Sequence, residues 1–191
     1  LIATVHRAPV PQASLITAER YYSAPTFAEY ITATVKNHDW WLATYRLAKL
    51  ADTDVAQARA LTARWHLLAL SEDWCGDAVN ILPFLARLAD AAPNRLELRV
   101  LGRDANPDIM NTHMTGKSRS IPVVIALDSN FVEHGWWGPR PLALQQQVAG
   151  EWWELPKDDR RLRIRIWYAR DHGRETLREM LELLRSVSPP G

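Results

Sequence analysis

The apolar positions of this chain change period several times, and each change predicts an element. From residue 26 they recur at helical spacing. Thr26-Phe27-Ala28-Glu29 reads as a capping box, in which the Thr26 hydroxyl accepts from the backbone and Glu29 reaches back. Phe27, Tyr30, Ile31 and Val35 then share one face. A second helix is expected over 39–50, with Trp41, Leu42, Tyr45 and Leu50 on a broad apolar face. A third starts at Asp52-Thr53 and carries Val55, Ala58 and Leu61. Residues 1–25, with their scattered prolines, read as irregular. At Trp65-His66-Leu67-Leu68-Ala69-Leu70 the pattern becomes a nearly continuous apolar run of strand length, as in a strand buried on both faces.

A helix over 75–91 follows, with Val79, Leu82, Leu85, Ala86 and Leu88 inward. Pro83 lies inside it, where it removes a hydrogen bond and kinks the axis. Leu96 to Val100 is a second strand, and Asn106-Pro107-Asp108 a helix start with cap, proline and acid in order. Pro122 to Leu127 is a third strand. A turn at Asp128-Ser129-Asn130 leads to a fourth, Phe131 to His134, paired with it as a hairpin. After Gly135 the chain reads as helical over 142–153, 158–170 and 174–187. Arg161, Arg163 and Arg165 alternate with Leu162, Ile164 and Ile166, so a strand competes there, but the spacing of Leu162, Ile166 and Ala169 selects the helix.

The order β-α-β-α-β-β-α, with helices before and within it, predicts an α/β fold: a central mixed sheet of about four strands flanked by helices. The expected organisation is an N-terminal helical extension, 1–62, packed on a domain, 63–191, that carries a helical insertion around 141–170. The 191 residues are 47% hydrophobic and 24% charged, ordinary values for a globular chain. A net charge of +1 gives no argument for nucleic acid. Asp158 and Asp159 dilute the arginines of 160–165, which read as a solvated face. No apolar stretch is long enough to span a bilayer. Residues 1–13, with His6, Arg7, Pro9 and Pro11, lack the hydrophobic segment of a signal peptide, so the expected location is the cytoplasm. The nine tryptophans, paired at 40–41, 136–137 and 152–153, read as packing residues. His66, His113 and His134 are isolated, without metal-ligand spacing, and the glycines form no phosphate-binding loop, so no metal or cofactor is expected.

One cysteine changes this picture. Cys75 is the only one in the chain, which excludes an internal disulfide. It lies in Ser71-Glu72-Asp73-Trp74-Cys75-Gly76-Asp77-Ala78, at a strand-to-helix turn. Trp74-Cys75-Gly76, Pro83 eight residues after the cysteine, and Ser120-Ile121-Pro122-Val123-Val124 together resemble the thioredoxin fold. There the first motif opens the active site, the proline kinks the active-site helix, and the Ile-Pro peptide is cis. A bacterial branch of thioredoxin-like proteins with a helical N-terminal extension is a closer likeness, through Glu72 to Ala78, Arg119 to Pro122, and Trp137 to Pro141. That likeness spans about 26–187 and implies a thioredoxin fold with extra C-terminal helices. Two departures stand out. Ala78 occupies the position of the resolving cysteine, and Ala69 that of the buried acid that thioredoxins carry six residues before the first cysteine.

A thiol at a helix N-terminus is drawn toward thiolate by the free backbone N–H groups and the helix dipole. Glu72, Asp73 and Asp77 oppose this, because nearby negative charge raises a thiol pKa. Arg119 and Arg140 are the candidate opposing cations, on loops that approach the cysteine in the resembled fold. The resemblance also implies that Trp74, Gly76, Ile121, Pro122 and Trp137 border a groove where Ile121 pairs its backbone with an extended substrate. Two functions follow as expectations. One is a monothiol thiol-disulfide oxidoreductase in which Cys75 forms mixed disulfides with a protein or small-molecule thiol and an external thiol resolves them. The other is a non-catalytic thioredoxin-fold module that binds a protein or peptide.

Overall fold

A computed structural model describes residues 4–7 and 15–187. The strand β2 (Trp65–Ser71) is buried along its whole length and is the axis of the molecule. It pairs in parallel with β3 (Leu96–Gly102) and antiparallel with β4 (Val123–Leu127). β4 pairs antiparallel with β5 (Glu133–Trp137), and β5 with β1 (Val5–Arg7). The sheet order is β1-β5-β4-β2-β3. Because both neighbours of β2 are strands and both faces are covered, its side chains have no wet side, which explains the unbroken apolar run.

The crossover from β2 to β3 is α5 (Gly76–Ala91), with Pro83 inside it. α5 packs on β3 and against α9 (Arg174–Ser186), which in turn covers β5 and β1. The helices α2 (Phe27–Ala33), α3 (His38–Leu47) and α4 (Asp52–Arg59) lie between β1 and β2 in the chain; α2 packs on β3, and α3 and α4 on α5. The remaining helices are α1 (Ala18–Ser23), α6 (Pro107–Thr112), α7 (Leu142–Ala149) and α8 (Lys157–Asp171). The chain is thus a mixed α/β protein with the thioredoxin arrangement plus helical extensions. None of the helices among the described residues is long and apolar enough to cross a membrane.

Several expectations need correction. The stretch 1–25 is not irregular throughout, since it contains β1 and α1; residues 1–3 and 8–14 lie outside the described residues. The Thr26–Glu29 capping box is present, but α2 stops at Ala33 and leaves Val35 84% exposed. Asn106 makes no side-chain cap on α6; its amide donates to the Gly102 carbonyl and its carbonyl accepts from Arg20. The fourth strand begins later than expected because Asp128 uses its carboxylate to accept the N–H groups of Asn130 and Val132, and Phe131 sits at φ 61. That turn consumes the residues assigned to the strand, which then runs past Gly135 to Trp137 instead of giving way to helix. Residues 157–171 are helical; Leu162 is 56% and Ile166 41% exposed, so an extended segment there would have no sheet to join.

A buried carboxylate ties distant segments together. Glu179 on α9, 4% exposed, accepts from the Thr4 hydroxyl, the Trp137 indole N–H and the Leu142 backbone N–H.

Candidate functional site around Cys75

β2 ends at Ser71, and the four residues Glu72–Cys75 turn the chain into α5, with Cys75 as the N-cap residue. Two of the three acids expected to burden the thiol, Glu72 and Asp73, hold the turn instead. Glu72 accepts the Asp104 N–H. The Asp73 carboxylate accepts the N–H groups of Val35 and Lys36, and its carbonyl accepts from Trp41 Nε1 and Asn37 Nδ2. The α2–α3 connection is thereby fastened to the cysteine turn. Trp40 packs over Gly76, so that a Cβ there would lie 3.6 Å from its ring.

The Cys75 side chain is buried, with 6% of the residue exposed. Its Sγ lies 3.4 Å from the carbonyl oxygen of Ile121 and donates to it. The Ile121–Pro122 peptide is cis, and the Ile121 carbonyl faces the thiol. Burial, and then the Asp77 carboxylate, push the thiol up from 9.0 to about 11. The N–H groups of Ala78 and Asp77, and the charge of Arg140, pull the other way without reversing the outcome. Desolvation therefore outweighs the helix N-terminus at this position.

The two candidate cations separate. Arg140 does approach the sulfur, but its guanidinium is committed: Nε and Nη2 donate to the two oxygens of Asp77 at 3.0 and 2.6 Å, and Nη1 to Gln145 Oε1. Tyr168 from α8 adds its hydroxyl to Asp77 Oδ1 at 2.9 Å, and burial holds that phenol well above its ordinary value. Arg119 has an exposed side chain; its carbonyl accepts from Arg103. Arg103 also lies over the ring of Trp74, 5.0 Å from its centroid. Trp74 is 43% exposed and presents apolar surface beside the cysteine. Trp137 does not: it is fully buried and bonded to Glu179, so it is core and cannot wall an open groove.

Ala78 and Ala69 are both fully buried, and Ala69 lies between Val100 and Val124 in the sheet. The position that would hold a proton-relaying acid is therefore a buried alanine flanked in the sheet by two valines. Sequence reasoning missed Tyr168, which reaches Asp77 from α8 far along the chain, and Gln145, which meets Arg140 from the first turn of α7. No local pattern marks them. Among the described residues no group of three or more His, Cys, Asp or Glu side chains is arranged to hold a metal ion. The histidines have other partners: His113 meets Glu133, His134 meets Asp128, and His66 meets Tyr22 and the Asp128 carbonyl.

Comparison with known proteins follows the same lines. A family model described as thioredoxin matches residues 24–158. Among solved structures, a protein of unknown function from Pseudomonas aeruginosa is similar with a TM-score of 0.71 and 18% identity, covering 90% of this chain and 99% of that one. An HIV epitope-scaffold is similar with a TM-score of 0.70 and 19% identity, again over 90% of this chain and 99% of that one. At such identities the likeness speaks for the fold alone. A comparison with curated protein sequences gives no match.

Proposed function

The chain belongs to the thioredoxin family, and from that premise we propose that it is a non-catalytic thioredoxin-like module, one that holds an extended protein or peptide segment beside Ile121 and Pro122 while Cys75 serves as a structural thiol. The observation that carries this reading is the sealed sulfur. Cys75 is buried, its S–H is spent on the Ile121 carbonyl, and the one arginine near it is neutralised by Asp77. A thiol in that setting stays protonated at neutral pH, and the thiolate is the attacking species in disulfide exchange. Ala78 and Ala69 support the same conclusion, because neither the resolving step nor its proton transfer has a residue to perform it. Trp74 supplies the exposed apolar surface on which a bound segment would lie, and recognition would use added-strand pairing to the Ile121 backbone.

The monothiol oxidoreductase remains the second reading, favoured by one specific observation: the N–H groups of Asp77 and Ala78 are directed at the sulfur and would stabilise a thiolate once a partner displaced the Ile121 contact. The two readings part in a turnover assay. With a mixed-disulfide substrate and excess glutathione at neutral pH, the module gives no Cys75-dependent rate above the uncatalysed exchange. Binding of extended peptides survives Cys75→Ser and is lost in Pro122→Gly. Turnover that disappears in Cys75→Ser would reverse the assignment in favour of the oxidoreductase.

A further inference from the structure

Away from the cysteine, α7, α8 and α9 enclose a second cleft of about 480 Å³, lined by Gln147, Trp152, Arg163, Ile166, Trp167, Arg170, Asp171 and Arg174. Its volume falls within the range of small-molecule sites, roughly 300–1,000 Å³. Arg163, Ile166, Trp167 and Arg170 follow one another at i, i+3, i+4 and i+7, so one face of α8 forms a wall. Another face of the same helix sends Tyr168 to Asp77, which fixes the wall in place.

The charges in this cleft do not balance. Arg163 and Arg170 have no acidic partner among the described residues, and Arg163 lies over the Trp152 ring, 5.9 Å from its centroid. Arg174 gives Nε to the Asp171 carbonyl and Nη2 to the Arg170 carbonyl, which leaves Nη1. The one acid, Asp171, is buried, turns its carboxylate to the Glu175 N–H, and has its pKa raised by that burial. Three guanidinium groups thus border a space with a single lining carboxylate, Asp171, whose oxygens accept the Glu175 N–H at the start of α9. Two indole rings supply flat apolar surface to the same space.

We propose that this cleft binds a small organic anion with a planar ring, an aryl phosphate or aryl carboxylate, with the acid group held by Arg163, Arg170 and Arg174 and the ring against Trp152 and Trp167. Guanidinium groups match the two-oxygen geometry of carboxylate and phosphate, and a ring beside indole and guanidinium planes gains stacking as well as burial. The site is separate from the peptide-binding reading of the Cys75 face and does not depend on it.

The test is calorimetric titration of the full chain, in chloride buffer, with phenyl phosphate, inorganic phosphate and benzyl alcohol as probes. The expected result is saturable one-to-one binding of phenyl phosphate, at least about tenfold tighter than either half-probe. Arg163→Gln combined with Arg170→Gln should weaken it by about tenfold or more with the thermal midpoint unchanged, since both side chains are exposed. Equal affinity for inorganic and phenyl phosphate, full affinity in the double variant, or no saturable binding at millimolar probe would each overturn the proposal. So would tighter, arginine-dependent binding of a single-stranded oligonucleotide, which would make the partner a nucleic acid.

Discussion

Alkylation of Cys75 measured against pH puts the sealed-thiol account at risk. A thiol titrating near 11 is ionised at pH 7 in about one molecule in ten thousand, against about one in a hundred for a thiol at 9.0. The more basic thiolate is the better nucleophile; with a Brønsted slope near 0.4–0.5 it regains roughly six- to tenfold. The net expectation is reaction with iodoacetamide about ten to fifteen times slower than a free thiol at pH 7, before any steric shielding. The logarithm of the rate should climb with unit slope and level off only near pH 11. Asp77→Asn is the informative perturbation. Unit charges about 6 Å apart at an effective dielectric of about 20 interact by roughly 3 kcal/mol, which caps the effect near two pH units. Removing Asp77 also leaves Arg140 unneutralised, which acts in the same direction. The rate at pH 7 should therefore rise by roughly threefold to tenfold as the midpoint falls. Because losing one partner of a buried pair costs roughly 3–5 kcal/mol, thermal midpoints accompany the rates. Asp77→Asn with Arg140→Gln leaves no unpaired charge and should lower the midpoint by less. A plateau below pH 8 in the wild-type chain, or a midpoint raised by Asp77→Asn, would refute the reasoning.

Other outcomes are equally specific. Gly173 sits at φ 77 with Phe84 against it, so Gly173→Ala should cost about 2–4 kcal/mol in urea titration through strain and overlap together; a neutral result would mean that Phe84 moves freely. Gly138→Ala would drive its Cβ into the Pro122 carbonyl and displace that loop, and the expected signature is faster Cys75 alkylation with a lowered thermal midpoint. Glu179→Ala leaves the Trp137 and Leu142 donors unsatisfied and should cost about 2–4 kcal/mol by the same titration. Stability should also fall on both sides of neutrality. Cys75, Tyr21, Tyr30 and Tyr168 have raised pKa values, so the stability they contribute is complete below their ordinary values of 9.0 and 10.0 and is lost as pH rises toward the folded ones. For Asp128, burial raises the carboxyl, but His134 and two backbone N–H groups bring it below 3.8, so its contribution is lost as pH falls through that region. Urea midpoints across the pH range should trace a plateau with two falling limbs; an alkaline limb that does not begin until well above pH 10 would contradict the buried-acid account.

The fold was legible where the local pattern is also the tertiary one. β2 reads as buried because it is flanked by strands and covered on both faces, and the Thr26–Glu29 box forms because all its atoms lie within one turn. Legibility failed where distant residues decide. β1 has three residues and no periodicity of its own; it is a strand because β5 offers it an edge. β5 was shifted because one aspartate reorganised the preceding turn. At the site, the cysteine, its helix start and the proline loop are visible in local motifs, yet the sign of the balance between helix dipole and burial depends on depth, which no motif encodes. Arg140 and Asp77 were both in view but not as partners, and the buried state of Trp137 follows from a glutamate 42 residues further on.

The Glu179 clasp has a consequence for the order in which the molecule can be assembled. During synthesis Val5–Arg7 leaves the ribosome before Gly135–Trp137, the backbone it pairs with, which follows roughly 130 residues later. At about 5–20 residues per second that strand waits roughly 6–25 s without its ladder. Thr4 waits longer still, until α9 brings its carboxylate. β1 therefore docks late, and its closure reports that α9 has been made and seated.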